Sequence, residues 1–404
     1  MSEGQRFSFG GRVFDAEDQR LQELLAAIRE SSTRLRCMCV PGGVEMYVAF
    51  HRQYIVKRMP DSGPRHHPGC PSFEPGPASS GLGELMGDAV VRLDGERFEL
   101  HVGFAWTQSS NRTAVRGDPA DVAEVSRPKR RMSLRALTHF LFERAGFNRW
   151  SPAMAGKRGQ GVLHRHLVLA AEDIRVKGQS LAERLYVPEP FSVERKVELA
   201  GRRRERLAIL QPRDDSHPMA LVIGELKACE SLAGGQRIWV RHMPDAPLVA
   251  EPQTWRRIER GFASLFEARD ADGGQGLRLL LAALIRARRE DTYEVELASL
   301  MLASENWIPL EGVHEAPLVR ALVAQGRRFI KPMRYDARSA CAFANVLLLD
   351  AGIHPVALHV VSPFMKQRDR ALKDRQLDAS GSGAWVWSLD GPMPELPEQI
   401  PVRH

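Results

Sequence analysis

Long apolar runs are missing from this 404-residue chain: the longest, residues 279–285, is seven residues between Arg278 and Arg286. A helix that crosses a bilayer needs roughly 20, so no membrane partner is expected. Cysteine is scarce, with five residues and no disulfide-framework spacing, which predicts reduced thiols or metal ligands rather than a secreted scaffold. The first ten residues carry Glu3 and Arg6 and no apolar stretch, so a cytoplasmic location is expected. Low complexity is confined to Ser380-Gly381-Ser382-Gly383, and no internal repeat is visible. Walker A, G-x-G-x-x-G after a strand, H-E-x-x-H and G-x-S-x-G are all absent. Nucleotide hydrolysis, dinucleotide chemistry and the common hydrolase machineries therefore have no support.

What is present is a globular composition, 43% hydrophobic and 26% charged, with 33 Gly and 26 Pro dispersed along the chain. That excludes wholesale disorder, and at roughly 150 residues per domain it predicts two or three domains. The net charge of +7 is unevenly placed. Residues 127–166 hold ten Lys or Arg and a single acid, Glu143, while the rest of the chain holds 47 basic and 49 acidic residues. A local basic face points to a polyanion partner, DNA before RNA.

The pattern of apolar residues predicts an α+β chain in three parts. Residues 1–125 read as an α+β domain: a helix behind Asp15 and Asp18 carrying Leu21, Leu24, Leu25 and Ile28, strands at 34–40 and 44–57 around Pro41-Gly42-Gly43, and a second hairpin across Asp94-Gly95. A linker is expected at about 111–128. Residues 126–190 read as a basic helical segment, with a Ser133-capped helix, a second helix after the 156–161 loop and a short third from Ser180. Three such helices are compatible with a winged helix. Residues 191–404 read as mixed α/β, with strands around Ala208, Val222 and Trp239 and helices from Thr254, Gly276 and Tyr293. The last 90 residues follow the order α-β-β-β-α-β.

Three constellations carry candidate chemistry. Cys37-x-Cys39, followed by His66-His67-x-x-Cys70, offers three thiolates and one of two imidazoles, a donor set suited to tetrahedral, structural zinc. The pattern resembles SWIM-type zinc fingers with the histidine placed first. Glu225-x-Lys227, preceded by Asp215, puts a carboxylate and an ammonium two apart on a strand, as metal-dependent nucleases do. The α-β-β-β-α-β order resembles a restriction-endonuclease-like core, but Asn345 and His359 stand where its carboxylates would be, which makes it degenerate and non-catalytic.

Cys37-x-Cys39, residues 54–60, His66/His67, Cys70, Trp150-Ser151-Pro152, residues 185–189, Trp307-Ile308-Pro309 and residues 328–335 together resemble the bacterial family called domain of unknown function 1173. The resemblance spans nearly the whole chain. Members are often encoded on proteobacterial plasmids and integrative conjugative elements, which implies a mobile-element role; the family has no agreed catalytic residues to carry over. The expectation is a zinc-stabilised, non-catalytic nucleic-acid-binding accessory protein, with Arg130, Arg131, Arg135, Lys157, Arg158 and Arg165 on phosphates. The alternatives are a nuclease using Asp215, Glu225 and Lys227, and a protein-protein scaffold.

Overall fold

The computed structural model describes residues 5–51, 53–93, 96–109, 130–211, 216–273, 276–289, 291–379 and 384–400. By its contacts the chain divides into two compact units: Met1–Gly83 with Leu322–Pro332 and Cys341–His404, and Glu84–Ala321 with Met333–Ala340. The expected linker at 111–128 and the Asp94-Gly95 turn lie outside the described residues.

The first unit opens with strands β1 (Arg6–Phe9) and β2 (Arg12–Asp15), helix α1 (Leu21–Glu30) and strands β3 (Leu35–Cys37), β4 (Val44–His51) and β5 (Gln53–Arg58). The strands form one antiparallel sheet in the order β2-β1-β3-β4-β5. The single strand expected at 44–57 is a hairpin, His51 pairing with Gln53. Helix α1 is amphipathic as its spacing predicts, burying Leu25 and Ile28. Its N-cap is Arg20 rather than an Asp; Asp18 Oδ1 instead accepts from the Arg20 N–H at 2.8 Å. The core beneath this sheet contains Phe7, Leu25, Leu35, Cys37, Met46, Cys70 and Phe73, together with Ile330 and Leu349 from the far end of the sequence.

The second unit begins with the expected short hairpin, β6 (Val90–Arg92) against β7 (Phe98–Leu100). Helix α2 (Leu134–Arg144) is capped as expected, Ser133 Oγ accepting from the Ala136 N–H. It is buried almost all round, and α3 (Gln160–Glu172) packs against it. Next come β8 (Ile174–Val176) and β9 (Gln179–Ser180), a hairpin turning on Lys177 and Gly178 at φ 52° and 74°, the left-handed pair of a tight two-residue turn. β8 joins β7 in parallel. Helix α4 (Leu181–Arg184), β10 (Leu185–Tyr186) and helix α5 (Lys196–Leu207) lead on. The expected strand around Ala208 is a short 3-10 turn closing α5.

Five strands then form a closed ring: β11 (Ala220–Leu232), β12 (Gly235–Val240), β13 (Leu248–Ala250), β14 (Arg278–Arg289) and β15 (Thr292–Ala303), with helices α6 (Pro252–Gly261) and α7 (Ala263–Ala271) between β13 and β14. The order round the ring is β11-β12-β13-β15-β14 and back to β11, antiparallel except β13 beside β15. β11 serves both edges: Ala220 to Glu225 pair with β14, and from Leu226 onward it pairs with β12 after a register shift. Gly224 allows this bend, since a Cβ there would lie 2.5 Å from Val240 Cγ1. The helices expected from Gly276 and Tyr293 are strands β14 and β15. Leu279 to Ile285 are buried on both faces, and a strand covered on both faces loses the alternation that separates it from a buried helix. α2 packs on β14 and β15.

The C-terminal order is as expected: α8 (Ala316–Ala324), β16 (Phe329–Ile330), β17 (Val346–Leu348), β18 (Val356–Val361), α9 (Gln367–Ala379) and β19 (Trp385–Ser388). β16, β17 and β18 pair antiparallel, and β19 runs parallel to β18. No helix among the described residues is long and apolar enough to cross a membrane.

Candidate metal centre and the charged constellations

Cys37 ends β3 with its side chain buried. Cys39 lies in the turn beyond the strand rather than on it, where Gly43, at φ 66°, folds back so closely that a Cβ would meet the Cys37 carbonyl oxygen at 3.2 Å. His66 follows the 3-10 turn Gly63–Arg65, and Cys70 is held by its N–H donating to the His67 carbonyl at 2.8 Å. Ligand atoms of Cys37, Cys39, His66 and Cys70 all lie within 4.8 Å of one another, the only such metal-competent group among the described residues. Cys37 Sγ is 3.7 Å from Cys70 Sγ, and His66 Nδ1 is 3.3 Å from Cys39 Sγ and 3.8 Å from Cys70 Sγ. A tetrahedron with metal–sulfur bonds of roughly 2.3 Å has edges of about 3.8 Å, so the donor set fits a metal such as zinc. His67 is outside the cluster, its Nδ1 accepting from the Gly69 N–H, and His66 is the histidine that fits.

The surrounding groups favour negative sulfur. Gln5 Nε2 donates to Cys37 Sγ at 3.3 Å and to Ser72 Oγ at 2.8 Å, and the Ser72 N–H donates to Cys70 Sγ at 3.4 Å. The Cys39 and Cys70 thiols hold Cys37 well below the usual thiol range by hydrogen bonding to it. For the same reason Cys39 is pushed up to about 11, and Cys70 also rises. The three adjacent sulfurs oppose one another's ionisation, and a divalent metal among them would let all three ionise. Gln5 carried no sequence signal, because only the pairing of β1 with β3 brings it to the thiols.

The six expected phosphate ligands divide into two groups. Arg131, Lys157 and Arg165 are exposed and have no acidic partner among the described residues. Arg130 pairs with Glu84 at 2.7 Å and Arg135 with Glu311 at 2.6 Å. Arg158 is turned inward: it donates to the carbonyls of Gly146, Phe147 and Arg149 and lies over the rings of Phe147 and Trp150, and burial lowers it to about 10. A second set of cations gave no signal in the sequence. On α6, Arg256, Arg257 and Arg260 are exposed, and among the described residues their only hydrogen bonds run within the helix. In the sequence they are masked by Glu251 and Glu259, which do not pair with them.

Of the nuclease candidates, Asp215 lies outside the described residues. Glu225 is buried on β11, its two oxygens held by Arg241 at 3.0 Å and Arg278 at 2.8 Å. Lys227 is exposed at the register shift, where the simple i, i+2 alternation is broken. In the C-terminal sheet Asn345 is buried, its Oδ1 accepting from the Val360 N–H at 2.8 Å and from Lys373 Nζ at 3.4 Å. His359 is buried beside it, its Nδ1 without a hydrogen-bond partner.

No curated protein and no solved structure matches the chain. The thiol–histidine cluster and the sheets around it fall within residues 7–390, over which the chain matches, and so belongs to, the family described as protein of unknown function (DUF1173).

Proposed function

We propose that the chain is a zinc-stabilised, non-catalytic nucleic-acid-binding accessory protein of a mobile element, acting on DNA before RNA. The observation that carries this reading is the row of guanidinium groups on α6: Arg256, Arg257 and Arg260 are all exposed and none pairs with an acid among the described residues. Exposed arginines, with Arg256 and Arg257 each about one helical turn from Arg260, suit the phosphates of a polyanion. Arg131, Lys157 and Arg165 extend the supply of free cations. The zinc is assigned a structural role, because four protein ligands leave no open coordination position.

Electrophoretic shift at two salt concentrations, with and without magnesium, tests the reading. Replacing Arg256, Arg257 and Arg260 with Ala is expected to weaken binding across sequences and to flatten the slope of log affinity against log salt by roughly 0.9 for each phosphate no longer neutralised. Unchanged affinity and slope would remove α6 from the interface. Magnesium-dependent cleavage that disappears in Lys227→Ala would replace the binding reading with the nuclease. The scaffold reading has one observation of its own: Phe191, Val197, Ala200 and Pro244 line a shallow cavity of about 400 Å³, with Val197 77% exposed. It takes over if no nucleic acid binds at all.

A further inference from the structure

We infer that the five-stranded ring of the second unit is a barrel of the oligonucleotide/oligosaccharide-binding type, and that the outer face of β12 around Trp239 is a stacking site for single-stranded nucleic acid. The inference rests on the nucleic-acid reading and deepens it by naming the class of strand bound.

The topology is the first support. Numbering the ring by chain order, its strands run 1-2-3-5-4-1, strand 3 is parallel to strand 5, and α6 and α7 fill the connection between strands 3 and 4. Strand 1 is long and pairs with strand 4 through its first half and strand 2 through its second, with Gly224 and the register shift at the crossing point. A closed five-stranded barrel of this kind binds oligomers on the face of strands 2 and 3. Fold alone does not assign a ligand, so the side chains on that face must carry the rest.

They do so in three ways. Ile238 and Val240 of β12 are buried, 1% exposed each, so the residues that alternate with them, Arg237 and Trp239, face outward and are only partly covered. Directly across from Trp239 on β11 stands Ala228, itself exposed, whose small side chain leaves the indole face uncovered from that side. Charge lies close by: the Arg237 guanidinium is 5.8 Å from the ring centroid, and Lys227, next to Ala228 in the chain, is exposed with no acidic partner among the described residues. Arg237 also meets Glu230 at 3.1 Å, an exposed pair that a phosphate can replace. α6 packs against β12 and β15, which sets its arginine row beside the same strand.

An aromatic face beside exposed cations gives what a single strand needs, a surface for a base and charge for the adjoining phosphates. A duplex hides its base faces in the stack, so Trp239 has nothing to gain from one. An oligosaccharide would use the indole but leave the cations idle, so the charge favours the nucleic acid.

The test is fluorescence anisotropy with oligothymidylate and oligouridylate strands of about 15 nucleotides, the upper range for one such barrel, and with a duplex of the same length. Trp239→Ala is expected to weaken strand binding about tenfold or more while leaving duplex binding unchanged, and Trp239→Phe to stay near wild type. Lys227→Ala should flatten the salt slope for the strand by roughly 0.7. Strands carrying 5-iodouracil should photo-cross-link to the peptide containing Trp239. Equal strand affinity in wild type and Trp239→Ala, both with unaltered melting, overturns the inference, as does displacement of the strand by a neutral oligosaccharide. Binding of duplex alone overturns it and leaves the nucleic-acid reading standing; binding of neither strand nor duplex overturns both.

Discussion

Cys37 and Leu281 are both fully buried strand residues, yet they hold their surroundings together by different means. Around Cys37 the strands run three to eight residues, and the core includes two of the thiols of the metal-competent cluster. Around Leu281 the strands run twelve and thirteen residues, with apolar side chains buried on both faces and a ring that leaves no open edge between its members. A metal held by the cluster would add a cross-link to the short-stranded sheet, whereas the closed apolar barrel has no edge to tie. The difference separates a region whose core includes a metal-competent donor set from one built on packed hydrocarbon.

The largest expected effect breaks that comparison at the cluster. Zinc should co-purify at about one equivalent per chain, and chelation or Cys39→Ser should destabilise the first unit by roughly 5 kcal/mol or more while the barrel still melts at its own temperature. Elemental analysis and two-transition calorimetry check this; a metal-free chain in which both transitions persist would end the distinction. The converse change, Leu281→Ala, should cost about 2–5 kcal/mol in the barrel transition and leave the zinc content unchanged.

Acid sharpens the comparison by a smaller amount. Burial holds His359 and His139 at about 4, with Lys373 adding to the effect at His359 and Arg135 at His139. Between about pH 6.5 and 4 the unfolded histidine takes up a proton that the folded one refuses, so stability falls as pH falls, by about 3 kcal/mol for each. In the second unit this loss is offset by Glu143, which burial raises to about 6 even though Tyr335 Oη donates to it at 2.7 Å. Its folded carboxyl protonates first, returning about 2 kcal/mol as pH falls from 6 to 4.5. The first unit, with His359 and the thiolates, should therefore lose stability sooner in acid than the second. Melting curves at pH 7 and pH 4.5, with His359→Gln removing most of the difference, check the assignment.

How much of this was legible in the sequence depends on whether the deciding interaction is local. Thiol and imidazole spacing exposed the metal-competent cluster, and Gly352 separates two strands short enough to read. Choosing His66 over His67 needed the turn geometry at Gly63–Arg65. Residues 279–285 misled because burial on both faces erases periodicity. Net charge does not separate Arg158, whose donors end on carbonyls, from Arg257, which is exposed with no acidic partner among the described residues. Ring closure was invisible, since β11 meets β14 across more than 50 residues.

The core that contains Cys37 and Cys70 also contains Ile330 and Leu349, and this sets an order of events during synthesis. At about 5–20 residues per second, roughly 15–50 s separate the emergence of Phe73 from that of Leu349. Throughout that interval the three thiols and His66 are already available while the apolar side chains that complete their core are not yet made. A metal captured by the nascent chain would hold the first hairpins in register until the rest arrives, so a zinc-loaded chain would be committed to its fold during synthesis and not after it.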